Sequence, residues 1–538
     1  MAGAEAIGLI LLAWASGTAI FLGLGRLVLP PATRDAGGPF RALWAGFAAL
    51  LAFLQLWHLV WPVDGAALAV LAALAAAGLA RGRAPLAWPG REALWPSLLL
   101  LAALLLVADR SLGPPLANDS GGYHLGSVRW AAEHPAVPGL ANLDLRLGFA
   151  SSFFLYVALL DVGPLEQRSH HVAGGLLLAL LLAQLLVQAA RSPRGRAADL
   201  AAALMIPPAL SQALGWNVSS PTPDLAVFVL GTVLGLRLLE HVEDRGSPVL
   251  ELVALAAALV TVKLSALALA GAAVVVALAL SPRPDRRPLA AAAVAGAFLL
   301  PWMATNVVLS GYPAYPLQAL AAPVGWRVPE AEVARLQEWI RSWARAPGLR
   351  PEQVLGRGDW IAPWARTLLG NRIWVQVPLL LLAVGAVGLA VRRRAALWPA
   401  LFPPLAAIAY WLALAPDLRF LGAALWLLAA FAIAMVWRGE GARGAALLPA
   451  ALGALLALGV LAGAWRRHDL LLRPDPVAGF HPTPPAPVAP RTLSSGLVVQ
   501  VPPARSCFDA PLPCAADPPP DLRPRRAGDL RAGFVRSP

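Results

Sequence analysis

The chain has 538 residues, of which 58% are hydrophobic and 14% are charged, and its formal net charge at pH 7 is +13. Soluble domains usually carry about 25% charged residues, so this composition excludes an ordinary water-soluble globular protein. The positive charge comes mainly from arginines in short connectors between apolar segments. Such connectors set topology and attract anionic membrane lipids, so the charge does not indicate a nucleic-acid partner.

Long apolar segments along the whole chain predict an all-α, polytopic membrane protein. A spanning helix needs about 20 mostly apolar residues, whereas a spanning β-strand needs about 10 alternating ones, a pattern the sequence lacks. About fourteen transmembrane helices are predicted, near residues 4–25, 42–61, 66–80, 95–108, 171–190, 198–214, 225–239, 249–262, 264–280, 288–305, 374–391, 397–414, 420–437 and 445–464. No charged segment precedes the first span, which favours an uncleaved helix over a signal peptide.

Arginines between the spans predict which side of the membrane each connector faces. With the N-terminus outside, every inner connector except 240–245 is clearly basic, as the positive-inside rule requires. Counting the apolar segment 149–160 as another span would invert all later connectors, so it is interpreted as juxtamembrane or re-entrant. The expected location is the inner (cytoplasmic) membrane, with both termini in the periplasm.

This topology gives the outer side two long loops, about 109–170 and 306–373, and a tail over 465–538. In the second loop, apolar residues at helical spacing within 333–343 predict an amphipathic helix on the outer surface. The tail is rich in proline and arginine, which predicts a largely disordered segment. Its Cys507 and Cys514 are the only cysteines of the chain, and the sequence leaves open whether they are bonded.

Ionisable residues at the outer ends of separate spans are the candidate functional residues. Asp119 is a candidate general base for an incoming hydroxyl or amine, although aspartate is also a preferred helix N-cap. His124 in the same loop is a candidate too, but a histidine is more often structural. Lys263 interrupts an apolar run, where a lysine either faces a partner or cavity or extends to the membrane surface. Asp224 lies at the outer end of the predicted span 225–239.

A late outer turn contains Asp417-Leu418-Arg419-Phe420. The guanidinium of Arg419 can bind a phosphate through two parallel hydrogen bonds. It can equally be an interfacial anchor that pairs with Asp417. The residues alone do not decide between these two interpretations.

This layout resembles the GT-C superfamily of polyprenyl-phosphate-dependent glycosyltransferases. The similarity lies in Asp119 in a large first outer loop, Asp224 after a later outer turn, Lys263 between two short helices, and Arg419-Phe420 in a late outer loop. Short strings between residues 119 and 316 also resemble an uncharacterised family of bacterial membrane proteins. They are Tyr123-His124-Leu125, Val137-Pro138-Gly139-Leu140, Leu147 to Ser152, Ser219 to Asp224, Lys263-Leu264-Ser265 and Ser310-Gly311-Tyr312-Pro313 to Tyr315-Pro316.

The resemblance implies a GT-C-like transmembrane domain over 95–464 with juxtamembrane helices in its outer loops, preceded by additional helices over 1–94. It implies transfer of a sugar from a polyprenyl-phosphate carrier to an acceptor at the periplasmic face. The alternative is a transporter or flippase of a lipid-linked or anionic solute, for which Lys263 would line the path.

The resemblance also implies roles for single residues. Asp119 would be the catalytic base, and the substrate-binding residues would be His124, Arg146, Asp224, Lys263 and Arg419. The paired acidic motif common in the superfamily is absent, because Asn118 stands beside Asp119. No metal ligand is therefore predicted, and no cofactor beyond the lipid-linked sugar donor.

Overall fold

The computed structural model describes residues 3–29, 38–81, 94–117, 119–191, 196–244, 249–281, 287–391, 395–436, 453–463 and 479–536. Within these ranges the chain is mainly α-helical and has two small antiparallel sheets near its C-terminal end. Asn118 and most of the arginine-rich inner connectors lie outside the described residues. The positive-inside pattern therefore stays a prediction.

The helices follow one another along almost the entire described chain. The first nine are α1 (Gly3–Val28), α2 (Pro39–His58), α3 (Gly65–Ala80), α4 (Leu94–Ser111), α5 (Leu125–Glu133), α6 (Ser152–Leu159), α7 (His170–Arg191), α8 (Ala197–Ala213) and α9 (Pro223–Asp244). The others are α10 (Val249–Val262), α11 (Leu267–Ala279), α12 (Arg287–Ser310), α13 (Glu330–Arg345), α14 (Pro351–Val354), α15 (Ile361–Gly370), α16 (Val377–Val391), α17 (Phe402–Leu414), α18 (Ala424–Val436) and α19 (Gly453–Gly463). Strand β1 (Ala489–Thr492) pairs with β2 (Val498–Val501), and β3 (Leu522–Pro524) pairs with β4 (Phe534–Arg536).

Seven helical segments among the described residues are long and apolar enough to cross a membrane. They are Gly3–Val28, Pro39–His58, His170–Ala190, Pro223–Asp244, Arg287–Ser310, Arg372–Leu389 and Ala396–Leu414. The remaining predicted spans correspond to helices outside this group of seven, namely α3, α4, α8, α10, α11, α18 and α19. A largely α-helical protein with several helices that can span a membrane is therefore confirmed, whereas the count of fourteen crossings stays a prediction.

The segment 149–160, predicted to be juxtamembrane or re-entrant, contains the short helix α6. This helix has eight residues, all of them buried, and it packs against α5 and α2. At about 1.5 Å per residue it is far shorter than the roughly 30 Å hydrocarbon core of a bilayer. It is not a membrane span, as predicted.

Helices α1 and α2 pack with their backbones in direct contact. A Cβ atom added to Gly25 would lie 1.8 Å from the carbonyl oxygen of Ala42, and one added to Gly46 would lie 1.8 Å from that of Phe21. Small residues at such crossings let membrane helices approach closely enough for extensive dispersion contacts. Helix α2 also packs against α6, α10 and α12, so the N-terminal helices belong to the same bundle as the outer loops.

The predicted amphipathic helix of the second outer loop is confirmed as α13. Its residues Val333 and Leu336 are buried, whereas Trp339 is 42% exposed. Helix α12 ends at Ser310, and the proline-rich segment after it is not helical, as expected for prolines that lack a backbone donor.

The prediction of a largely disordered tail is wrong for residues 479–536. This part contains both sheets, and Cys507 and Cys514 form a disulfide. Its few apolar residues, including Leu493, Val499 and Phe534, form one buried cluster with Trp130 and other residues of the first outer loop. Composition was misleading because the tail supplies only half of a core, and the outer loop supplies the other half.

Candidate functional site

The structure brings candidate residues together from separate parts of the chain. Asp119 precedes the π-helix Ser120–His124, which continues directly into α5. Asp224 is in the first turn of α9, Lys263 lies in the break between α10 and α11, and Arg419 lies in the short 3-10 turn Leu418–Leu421 before α18. These helix ends meet on one face of the bundle.

Asp119 forms an ion pair with Arg419, and the distance between Oδ2 and Nη1 is 3.2 Å. The Asp119 side chain makes no capping hydrogen bond to the helix that follows it. Its backbone carbonyl instead accepts hydrogen bonds from the amides of Tyr123 and His124, at 3.1 and 3.2 Å. The interpretation of Asp119 as a side-chain N-cap is therefore wrong.

The guanidinium of Arg419 is held between two carboxylates. Its Nε lies 3.2 Å from Oδ2 of Asp417, while its Nη1 bonds to Asp119. Burial alone would lower the pKa of Arg419, but the negative charges of Asp417, Asp224 and Asp119 outweigh that effect and raise it. Arg419 is thus anchored by Asp417, as one interpretation required, while its outer nitrogens still face Asp119.

Lys263 forms an ion pair with Asp224. Its Nζ lies 4.5 Å from the centre of the Phe420 ring, and Cζ of Arg419 lies 5.3 Å from the same centre. Cations over an aromatic face are attracted by the ring quadrupole. Phe420 therefore links both cations of the site, and Lys263 faces a charged partner instead of only extending to the membrane surface.

Lys263 is also the only lysine in the chain, since the other cationic side chains among the 43 lysines and arginines are all arginine. Arginine and lysine differ in shape, hydration and number of donors, so they are not interchangeable at a site that uses those properties. This compositional signal is readable from the sequence, and it separates Lys263 from every other cation of the protein.

His124 is buried in the cluster with only 3% of its surface exposed. Neither ring nitrogen has a hydrogen-bond partner among the residues that the structure describes. The ring packs against Tyr123 and Phe154, with centroid distances of 4.4 and 5.3 Å. Burial lowers the pKa of His124 to about 4, even though the nearby Asp119 and Asp224 favour the charged form. The imidazole is therefore neutral at neutral pH.

Arg146 lies at the edge of the cluster. Its Nη2 is 3.0 Å from Oδ2 of Asp144 and 3.5 Å from the carbonyl oxygen of Gly122. Its Cζ is 5.6 Å from the centre of the Tyr123 ring. These contacts hold the first outer loop against the π-helix, so the geometry gives Arg146 a supporting position behind Tyr123.

A recurrent tripeptide positions both arginines of the site. Asp144-Leu145-Arg146 and Asp417-Leu418-Arg419 have the same sequence. In each, Oδ1 of the aspartate accepts a hydrogen bond of 2.9 Å from the arginine amide. The guanidinium of the same arginine also donates a hydrogen bond to the carboxylate of that aspartate. An aspartate that bonds the backbone two residues later forms a compact turn. The tripeptide alone does not mark the site, because it also occurs at 521–523 and 529–531 in the tail, where the Arg531 amide donates to Oδ1 of Asp529 in the same way. The sequence singles out Phe420 beside Arg419, but the contact of Phe420 with Lys263 and that of Tyr123 with Arg146 join separate segments and were not predicted.

In the described part of the chain, no group of three or more His, Cys, Asp or Glu side chains is placed to hold a metal ion. What the cluster offers chemically is two fixed cations, three carboxylates paired with them and one neutral imidazole. Such a set can bind a phosphate and accept a proton close to it.

Comparison with known proteins places this cluster within a family. The sequence model of a domain of unknown function, DUF8201, matches residues 8–426. The chain belongs to the DUF8201 family. The DUF8201 match begins within α1, includes all six candidate residues from Asp119 to Arg419, and ends before the folded tail. No curated protein and no solved structure matches the chain.

Proposed function

We propose that the protein is a membrane glycosyltransferase that transfers a sugar from a polyprenyl-phosphate carrier to an acceptor at the periplasmic face. The observation that carries this proposal is the pair of cations Lys263 and Arg419, which share the Phe420 ring, with Arg419 also bonded to the carboxylate of Asp119. Two neighbouring cations, one of them bonded to a carboxylate that can accept a proton, suit a reaction in which a phosphate departs while an acceptor loses a proton.

The ion pair of Asp119 and Arg419 suggests how the step begins. A phosphate that binds the outer nitrogens of Arg419 competes with Asp119 for the guanidinium, while Asp417 keeps Arg419 in place. The released carboxylate takes the proton of an acceptor hydroxyl or amine. The acceptor atom then bonds to the anomeric carbon as the bond from that carbon to the phosphate oxygen breaks. Polyprenyl phosphate leaves with the electron pair, and Lys263 and Arg419 neutralise its charge.

The other candidate residues have supporting roles in this proposal. Asp224 orients the ammonium of Lys263 through their ion pair. His124 is neutral, so one ring nitrogen donates and the other accepts a hydrogen bond, which suits the hydroxyls of a sugar. Arg146 keeps Tyr123 and the π-helix in place.

The same cluster supports the fourteen-span topology as part of the proposal. Two predicted spans separate Asp119 from Asp224, two more separate Asp224 from Lys263, and four separate Lys263 from Arg419. Residues that share one face of the bundle require an even number of crossings between them. The disulfide of the tail, which packs on that face, supports an oxidising compartment and hence the periplasmic side of a bacterial inner membrane.

The unique lysine provides a direct test of phosphate binding. In protein reconstituted in lipid nanodiscs, an amine-acylating reagent can modify no side-chain amine other than that of Lys263. We expect polyprenyl phosphate to slow this modification in a concentration-dependent way, and polyprenol without the phosphate to have no effect. Equal modification with and without polyprenyl phosphate contradicts the proposed site.

Transfer itself is tested with Asp119→Asn in membranes supplied with radiolabelled polyprenyl-phosphate sugars. Loss of a positioned catalytic group of this kind typically lowers the rate by about 10²–10³-fold. The matched control is Asp359→Asn, because Asp359 is also an outer-loop aspartate paired with an arginine, but its side chain is 76% exposed. Full transfer by Asp119→Asn overturns the assignment. Movement of intact labelled donor across the bilayer, without release of the sugar, would instead support a flippase.

A further inference from the structure

The tail lies directly on the π-helix of the candidate site. The ring of Phe508 packs on the α-carbon of Gly121, where an added Cβ would be 2.6 Å from Cζ of Phe508. The Phe508 amide also donates a hydrogen bond of 3.0 Å to the Gly121 carbonyl oxygen. Gly121 therefore has no room for a side chain because the tail occupies that position.

The loop that carries Phe508 is fixed at several points. The disulfide between Cys507 and Cys514 closes it, and the guanidinium of Arg129 on α5 donates to the carbonyl oxygens of Asp509 and Ala510. Phe508 itself has a left-handed backbone with a φ of 42°. A bulky residue keeps this unfavourable conformation only where its surroundings hold it.

The tail also connects the two outer loops. The Phe534 amide donates to the carbonyl oxygen of Pro138 in the first loop, at 2.9 Å. Toward the second loop, Cζ of Arg525 lies 4.6 Å from the centre of the Trp326 ring, and Nη2 of Arg536 lies 3.7 Å from Oε1 of Glu332. The loop that carries Phe508 thus belongs to a folded unit anchored on both outer loops.

The π-helix needs such support because its own sequence disfavours a helix. Its residues Ser120-Gly121-Gly122 include two consecutive glycines, which lose the most conformational freedom when a helix forms. A π-helix is also a rare arrangement, often found at functional sites. Asp119 is attached directly to this segment, so any shift of the π-helix moves the carboxylate relative to Arg419.

We propose that Phe508 is a positioning residue, which, with the loop closed by Cys507 and Cys514, holds the π-helix so that Asp119 faces Arg419. The expected effect on phosphate binding and sugar transfer rests on the function proposed above. The expected effect on the π-helix does not.

The test of the π-helix uses a single reactive thiol. Both native cysteines are disulfide-bonded, so Ser120→Cys introduces the only free thiol, at a position that is 1% exposed. We expect Phe508→Ala to raise the rate of maleimide modification of this thiol at least tenfold, and Phe508→Leu, which keeps an apolar side chain there, to restore the slow rate. The matched control is Phe480→Ala, because Phe480 is a tail aromatic that packs on His171 and not on the π-helix.

Equal modification rates in the Phe508→Ala variant and its parent overturn the proposal. A fast rate in the Phe480→Ala control overturns it as well, since any damage to the tail would then expose the thiol. If Phe508→Ala abolishes membrane insertion, the comparison of Phe508→Leu with Gly121→Ala decides: an added Cβ at Gly121 must displace the ring and raise the rate, and an unchanged rate overturns the proposal.

The second readout is the protection of Lys263 by polyprenyl phosphate in the same variants. We expect Phe508→Ala to require at least tenfold more polyprenyl phosphate for half-protection than the parent. If polyprenyl phosphate fails to protect Lys263 even in the parent, the proposed function fails while the thiol result still decides the positioning role. If the parent is protected and Phe508→Ala is protected equally, the positioning role is wrong and the function stands.

Discussion

Asp119 and Arg419 are 300 residues apart in the chain, yet their side chains form an ion pair with 3.2 Å between Oδ2 and Nη1. The second carboxylate on Arg419, that of Asp417, comes from the same turn. The guanidinium thus joins a local turn to a distant loop. The geometry of the site depends on this guanidinium, and single substitutions can test each of the contacts within the site.

Arg419→Lys tests the need for a guanidinium between two carboxylates. A lysine has a single terminal nitrogen on a flexible stem and cannot hold Asp417 and Asp119 in the same geometry. We expect sugar transfer to fall by about 10²-fold. We expect the free energy of unfolding to change by only about 1 kcal/mol, because the pair is partly exposed. Transfer assays and chemical unfolding in detergent measure the two effects.

The control for that change is Arg366→Lys on α15, where the arginine is exposed and its guanidinium bonds to the Ala362 carbonyl oxygen within its own helix. It is expected to retain parental transfer. If Arg419→Lys transfers sugar at the parental rate, a point charge at position 419 is sufficient and the paired geometry has no catalytic role.

Lys263→Arg keeps the charge and changes its shape. A planar guanidinium at this position has to share the face of Phe420 with Arg419, and it cannot place a compact ammonium against Asp224. We expect at least a tenfold loss of transfer, close to that of Lys263→Gln, in a radiolabel assay. The opposite exchange, Arg345→Lys, alters another cation stacked on an aromatic ring, that of Trp360, and should have little effect. Parental transfer by Lys263→Arg would leave the unique lysine without a functional explanation.

His124 makes stability depend on pH. Its pKa is lowered from 6.5 to about 4 in the folded protein because the ring is buried. Above pH 6.5 the ring is neutral in both states and contributes nothing. As the pH falls from 6.5 to about 4, the unfolded chain binds a proton that the folded protein does not, so the free energy of unfolding decreases, by roughly 3 kcal/mol in total.

His124→Gln removes this contribution, and other buried histidines do not obscure the result because the measured quantity is the difference between variant and parent. We expect the pH dependence of thermal unfolding between pH 6.5 and 4 to become shallower in His124→Gln. His134→Gln serves as control, since this more exposed ring has a smaller effect of the same sign. Parallel pH profiles for the parent and His124→Gln would show that His124 does not titrate as its burial requires.

Gly46→Val tests the packing of the N-terminal helices. The valine side chain would enter the space of the Phe21 carbonyl, so α1 and α2 must separate. Overpacking of this kind typically costs about 1–3 kcal/mol, and we expect a lower unfolding temperature in detergent and less protein in the membrane. Gly8→Val is the matched control in α1, because nothing in the described chain lies within 4 Å of a Cβ added at Gly8. Equal stability of the two variants would contradict the close packing.

The positions of the helices could be predicted from the sequence because apolar length is a local property. Inner loops alternate with outer ones, so the order of the spans also predicts that Asp119, Asp224, Lys263 and Arg419 share one face. Which of these four side chains form ion pairs with one another could not be predicted from the sequence. Asp119 bonds to Arg419 instead of capping its own helix because of the way four helix ends meet. The spacing of residues along the chain does not determine how those ends are arranged.

For the tail, a prediction based on a local property, the amino-acid composition, is wrong. Proline and arginine dominate its composition, and such a segment cannot form a core alone. Val499 and Phe534 are nevertheless fully buried, because Trp130 and its neighbours complete the cluster. A composition-based prediction cannot detect a core shared between segments more than 300 residues apart.

The packing of residues 479–536 against the first outer loop also sets an order of events in the life of the protein. The ribosome synthesises this segment after all the helices from α1 to α19. Gly121 and Arg129 are synthesised much earlier, so their contacts with the tail form only after the rest of the chain has been made. The membrane-spanning helices among α1 to α19 can therefore be inserted before the segment that holds the π-helix exists. A newly inserted chain has its outer loops uncovered during that interval, and they become covered only when the tail has folded onto them.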